Sequence, residues 1–297
     1  MTKNKKINSD KVFGFVNGLL LALITLLIVY PLYFIIVASF SDPVYVNSGQ
    51  TMFFPKGVTL EGYVKVLEFP QMLTGFKNSI IYTVVGTLIN MLVCIPTAFA
   101  LSRKELVGRR VLNTFFLITM YFSGGLIPGY LLLKELHMLN SIWSIVLPGA
   151  LSVYNMIICR SFFQANVSEE LLESVKIDGG SYFTFFFKVV LPLSKAIIAV
   201  MVLFHALAHW NKYLEIVYYI RDPEKYSLQV VLRNLSLYLN TNVTDSGLDA
   251  KTAGEMQKIE QITRFSVVII ASIPVFLMYP FIQKYFVKGV MIGSVKG

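Results

Sequence analysis

The chain has 297 residues, 55% of them hydrophobic and only 14% charged, and a net charge of +9. A mean hydropathy of +0.64 excludes a soluble globular fold as the main body, because apolar runs near the length of about 20 residues that crosses a hydrocarbon core recur along the chain. The positive charge is grouped at the ends of those runs, which excludes a basic nucleic-acid-binding face.

Six runs, 12–40, 79–101, 112–133, 142–159, 187–208 and 265–287, predict an all-α polytopic membrane protein with six transmembrane helices. Lys3, Lys5, Lys6 and Lys11 precede the first run. Its apolar part exceeds the roughly 7–15 residues of a signal-peptide core, so it is read as a retained helix. Arg103, Lys104, Arg109 and Arg110 lie between the second and third runs, and Lys284, Lys288 and Lys296 lie at or after the end of the sixth. With an inside N-terminus, all three basic clusters fall on the cytoplasmic side, as the positive-inside rule requires. The expected organisation is a cytoplasmic tail 1–11, a first span 12–40, an extracytoplasmic segment 41–78, a five-helix body 79–287 and a cytoplasmic tail 288–297. Within the body lie a cytoplasmic loop, 160–187, and an extracytoplasmic loop, 211–264.

The segment 41–78 carries turn signals at Asp42-Pro43, Pro55-Lys56-Gly57 and Pro70. Leu60, Tyr63, Val64 and Leu67 repeat at helical spacing, which predicts a short amphipathic helix with Thr59 as its cap. Pro31, Pro96, Pro148, Pro192, Pro274 and Pro280 are expected to kink spans whose neighbours satisfy the freed backbone. Gly124-Gly125 followed by Pro128-Gly129 is expected to be a true break. Cys94 and Cys159 are in or at the end of apolar runs and form neither a disulfide nor a zinc pattern.

Between the fourth and fifth runs stands a polar, helix-forming island, EELLESVKIDGGSYFTFFFKVVLP. Ser168 is placed to cap a helix whose first turn holds Glu169 and Glu170, where the helix dipole favours acids. Leu171, Leu172 and Val175 form a narrow apolar stripe. Asp178-Gly179 ends the helix, and Ser181 caps a second one that Phe183, Phe186 and Phe187 carry into the membrane. A helix with an apolar stripe and no core of its own calls for a partner groove. The last long polar stretch, 211–264, has an apolar-periodic piece at 228–239 and an expected soft tip at 240–254.

Glu173-Ser174-Val175, then Gly179, then Val189-x-Leu191-Pro192 resembles the Glu-Ala-Ala loop of ATP-driven importer permeases, with Ser174-Val175 standing where Ala-Ala is usual. NSIIYTVVGTLINMLVCIPTAFALSRKELVGRR, YFSGGLIPGYLLLKELHMLNSIWSIVLPGALSVYNMIICRSFF and the tail ending Gly293-Ser294-Val295-Lys296-Gly297 are similar to the six-span subunit of the maltose-type carbohydrate importers. The likeness covers nearly the whole chain and is strongest to the branch serving complex oligosaccharides. It implies a MetI-like type I importer fold in a bacterial inner membrane, working by alternating access. The partners it implies are a second homologous permease, two ATPase subunits, an extracytoplasmic solute-binding protein and a sugar. Glu173, Gly179, Asp178, Leu172, Val175 and Ser181 take the ATPase-coupling role. Thr241, Asn242, Thr244, Asp245, Ser246 and Gly247 would face the binding protein.

The chain lacks a Gly-x-x-x-x-Gly-Lys-Ser/Thr phosphate loop, so ATP and Mg are expected on the partner ATPase and no cofactor on this chain. Sugars present hydroxyls and flat apolar faces, so the substrate-path candidates are Asn90, Tyr121, Tyr154, Asn155, His205, His209 and Trp210, with Tyr82 and Asn211 beside them. Each Tyr is equally suited to an interfacial belt, and each Asn to joining helices. Two alternatives stand. An ion-coupled transporter usually keeps carboxylates in its spans, and this chain has none there. An intramembrane enzyme could use His205 and His209, four residues apart, but two ligands are fewer than the three of a catalytic zinc site.

Overall fold

The computed structural model describes residues 9–245 and 250–293, and every regular element among them is helical. In chain order these are α1 (Ser9–Ser39), α2 (Pro43–Asn47), α3 (Glu61–Glu68), α4 (Met72–Ser102), α5 (Arg109–Tyr121), α6 (Leu126–Glu135), α7 (Trp143–Val146) and α8 (Val153–Asn166). There follow α9 (Glu169–Ile177), α10 (Tyr182–Phe185), a π-helical turn Phe186–Val190, α11 (Leu191–Leu193), α12 (Lys195–Trp210), α13 (Leu214–Tyr219), α14 (Leu228–Asp245) and α15 (Ala250–Gly293). The chain forms two compact units. One is built on residues up to Phe69 with Asn234–Ser272, the other on Pro70–Arg233 with residues from Ile273.

Each of the six expected apolar runs contains helix, but the third is interrupted at 122–125 and the fourth at 147–152. Among the described residues, three helices are long and apolar enough to cross a membrane, and five spans result if each bent pair is counted as one. The fourth run is divided: α7 has four residues, and the chain breaks at Pro148 and at Gly149, whose φ is +79°, before α8 resumes. The expected break at Gly124 is present, with α5 and α6 bent by 111° about Gly125 at φ +87°. A second bend of 81° separates 182–193 from α12. The sequence carries the helix capped by Ser181 into the next span with a kink expected at Pro192. Pro192, which cannot donate a helical hydrogen bond, and the π turn before it interrupt that path.

In the first unit, α1 leaves almost all of its apolar side chains exposed. Such a surface is untenable in water but matched to lipid. Thr59 Oγ1 accepts from Glu61 N–H at 3.2 Å just before α3, but the cap position is occupied by Leu60 and not by the expected Thr59. Gly62 lets α3 meet α15, because a Cβ there would lie within 2.6 Å of Ser266 Oγ.

The second unit is organised on α4. At about 46 Å for its 31 residues, it exceeds the hydrocarbon thickness of about 30 Å. Its C-terminal half packs against α8, α9, the π turn and α12 in an apolar core containing Phe99, Phe163, Leu172, Phe185 and Met201. Its N-terminal half joins a second cluster around Tyr82, Ile145, Ile216 and Tyr219.

Candidate functional site

α9 is a surface helix whose two ends are fixed by different means. At its exit the chain makes the two bonds of a Schellman motif: Gly179 N–H donates to Lys176 O at 3.0 Å and Gly180 N–H to Val175 O at 2.7 Å. Gly179 has φ +74°, and a Cβ there would meet nothing within 4 Å, so backbone strain alone reserves the position for glycine. Gly180 is reserved by space, since a Cβ would fall 2.6 Å from Val175 Cγ1. Ser181 then caps α10, its Oγ accepting from Thr184 N–H at 3.3 Å.

At its entrance, Ser168 occupies the cap position, but its hydroxyl makes no capping bond, contrary to the sequence expectation. Glu169 instead pairs with Lys104, Nζ to Oε1 at 2.9 Å. The hydrogen bond from Lys104, with the nearby Arg103 and Arg109, holds the Glu169 carboxyl below the usual glutamate range. Lys104, Arg103 and Arg109 face Glu169, Glu170 and Glu173 across an open cleft of about 500 Å³. From the sequence these cations read only as topology signals. The signal available was a pair of bases placed immediately after the long α4 span.

The apolar stripe of α9 points inward. Leu172 is 2% exposed within the core of the unit, and Val175 packs partly buried beside it. Leu172, expected to meet a partner, is instead enclosed in the chain's own core, while Val175 stays partly exposed. Their packing in that core bolts the helix down. Glu170, Glu173, Ser174 and Ile177, spaced along the opposite face, are exposed, with Ile177 at 86% and Leu171 at 39%. Asp178 and Gly179 are exposed at the exit turn.

The sugar-path residues fall into two groups. His209 Nε2–H donates to Asn90 Oδ1 at 2.6 Å, while Asn90 Nδ2 donates to Gly149 O at 2.9 Å and Ala150 O at 2.8 Å. The His209 ring lies on Gly86, where a Cβ would overlap it. Asn90 and His209 Nε2 are thus bonded in a buried joint between α4, α12 and the break before α8, the helix-joining role that Asn90 equally suits. His205 and Trp210 are also buried, Trp210 edge-on to Phe76 at 5.8 Å, and Asn155 is buried on α8. Tyr121 and Tyr154 are exposed. Among the described residues no cluster of three or more His, Cys, Asp or Glu is placed to hold a metal.

The expected soft tip is helical on both sides: Thr241, Asn242, Thr244 and Asp245 belong to α14, and α15 starts at Ala250. Ser246 and Gly247 lie outside the described residues.

Residues 72–292 match the family described as binding-protein-dependent transport system inner membrane component. The chain belongs to that family. The match begins at the first residue of α4 and takes in the surface helix and both breaks, so the geometry above is that of a transport permease component and not of an enzyme. Among its relatives, the permease is 38% identical to Protein LplC of Bacillus subtilis (strain 168), covering 97% of this chain and 96% of that protein. It is 37% identical to the polygalacturonan/rhamnogalacturonan transport system permease protein YtcP of the same organism, covering 96% and 97%. A crystal structure of a bacterial ABC transporter involved in the import of the acidic polysaccharide alginate contains a chain with a TM-score of 0.78 and 31% identity, covering 94% of the permease and 98% of that chain.

Proposed function

We propose that this permease carries oligosaccharides derived from polysaccharides inward across a bacterial cytoplasmic membrane, powered by ATP hydrolysed on separate subunits. The observation that carries the reading is α9 itself. It is a short helix bolted by Leu172 to the core of α4, α8 and α12, ended by a Schellman turn, with an exposed outer face of Glu170, Glu173, Ser174 and Ile177. A helix so mounted moves with the spans when an outside partner moves it. The names of the relatives, which include polygalacturonan/rhamnogalacturonan and arabinooligosaccharide systems, support the substrate class.

In this reading a second permease of similar fold completes the path, and two ATPase subunits, which bind ATP and Mg, grip the α9 helix of each permease. Closure of the ATPases brings the two α9 helices together and rocks α4, α8 and α12 toward the outward-open arrangement. Both termini and the 160–187 loop face the cytoplasm, and 211–264 faces the solute-binding protein. Glu173 and Gly179 belong to the gripped surface, with Leu172 and Val175 as its anchors.

The test is uptake of labelled oligosaccharide by proteoliposomes holding the complete complex and binding protein. Uptake is expected to require internal ATP and to continue when ionophores collapse every ion gradient. Uptake without ATP that stops with the ionophore overturns the reading in favour of ion coupling.

A further inference from the structure

The entrance of α9 is held by a side chain that coupling through the exit turn leaves unexplained. Arg103 caps the C-terminus of α4, yet it is only 6% exposed. Burying a guanidinium is costly unless its donors and its charge find partners. Here NH2 donates to Val167 O at 3.3 Å, and Nε donates to Ser102 Oγ at 3.0 Å. The Ser102 hydroxyl donates in turn to Phe99 O at 2.6 Å. The guanidinium carbon stands 5.4 Å from the centre of the Phe99 ring, a cation–π distance. Phe99 itself packs on Phe163 of α8 and on Phe185 and Phe186.

The acceptor gives the contact its meaning. Val167 is the C-terminal cap of α8, and with Ser168 it makes the whole link between α8 and α9. Both residues are extended, with ψ of 93° and 158°. A two-residue extended link is a natural hinge, and with Leu172 anchoring the middle of α9 a load on the helix still bears on this link at its entrance. We infer that Arg103 is a positioning residue that locks this hinge, so that displacement of α9 reaches α4 and α8 as a rigid movement. The inference rests on α9 being the surface an ATPase grips. Arginine suits the task because it keeps its charge when buried and its planar fork reaches Val167 O and Ser102 Oγ at once. Lysine gathers its three donors at one nitrogen and lacks the planar, spaced fork that spans the two acceptors.

The experiment uses the complete reconstituted complex with both permeases, the ATPase and the binding protein. Arg103→Gln and Arg103→Lys are compared with the unaltered chain for ATPase co-purification, ATP hydrolysis and oligosaccharide imported per ATP hydrolysed. Loss of a charged hydrogen bond of this kind corresponds to roughly tenfold or more. Arg103→Gln is therefore expected to insert, to retain the ATPase and to hydrolyse ATP, while import per ATP falls about tenfold or more. Arg103→Lys is expected to fall between. Unchanged import per ATP in Arg103→Gln overturns the inference. So does failure of both variants to assemble, which would make Arg103 a folding element. An unaltered chain that binds no ATPase would instead defeat the proposed function, and the two failures are thereby distinguished.

Discussion

At its C-terminal end α4 is held by aromatic and aliphatic packing around Phe99 and Leu172 with one buried cation, whereas at its N-terminal end it is held by side chains bonded to backbone. There Asn78 donates to Glu224 O at 2.8 Å and Tyr226 O at 3.0 Å, Tyr82 donates to Lys225 O at 2.7 Å, and Leu228 N–H donates to Ser79 Oγ at 2.8 Å. Interdigitated apolar groups resist shear together and have no alternative partners to jump to, so such an end transmits a push. Hydrogen bonds to backbone exchange one acceptor for another at little net change, so such an end is suited to re-pairing as the bundle rocks. The permease thus places its stiff end beside α9 and its adjustable end at the far side of the same helix.

Leu172→Ala breaks the stiff end most severely. A core leucine truncated to alanine costs about 2–5 kcal/mol, so the thermal unfolding midpoint in detergent is expected to fall clearly, and uptake with it. Gly179→Leu comes next. A Cβ at Gly179 meets nothing within 4 Å among the described residues, but a left-handed leucine costs about 1–2 kcal/mol and will reorient the exit turn. Membrane insertion should persist while oligosaccharide uptake drops by roughly tenfold. Normal uptake with Gly179→Leu would show that the exit turn does not set the orientation of α9.

Asn90→Leu tests the hydrogen-bonded joint farther along α4. It strands Gly149 O, Ala150 O and the His209 donor together, an expected loss of about 1–3 kcal/mol, read as a lowered unfolding midpoint with the ATPase still bound. The smallest effect is expected from Lys104→Ala, because the pair with Glu169 is exposed and screened by salt. Glu169 has a depressed folded-state pKa, so its contribution is present above the ordinary glutamate pKa and disappears as pH falls through the depressed value. Lys104→Ala should therefore lower the neutral plateau of a stability-against-pH curve slightly, leave the region below the depressed pKa unchanged, and so flatten the acid limb between them.

Much of this is legible in the residues. Hydrophobic run length exposes the spans, Gly124 and Gly125 mark the α5–α6 break, and Asp178-Gly179-Gly180 marks the exit of α9, because glycine pairs report backbone conformations that other residues avoid. The direction of the α9 stripe is not legible. Leu172 and Val175 read the same whether they face a partner or the chain's own bundle, and only the packing of Phe99 and Phe163 decides it. Arg103 is hidden for a related reason: a base after a span signals topology by default, and its burial depends on Val167, 64 positions away. Asn90 looks like a path residue because an amide in a span needs a partner, and the partners, Gly149 O and Ala150 O, lie across a break that the apolar run 142–159 conceals.

The central claim, that the outer face of α9 is gripped by an ATPase, is tested most directly by cross-linking in membranes that contain the complete complex. Ser174→Cys and Ile177→Cys place thiols on the exposed face, and Leu172→Cys places one on the buried face. The account predicts cross-links from positions 174 and 177 to the ATPase subunit and none from position 172. Absence of cross-linking at both exposed positions, in membranes where the complex imports substrate, would contradict it.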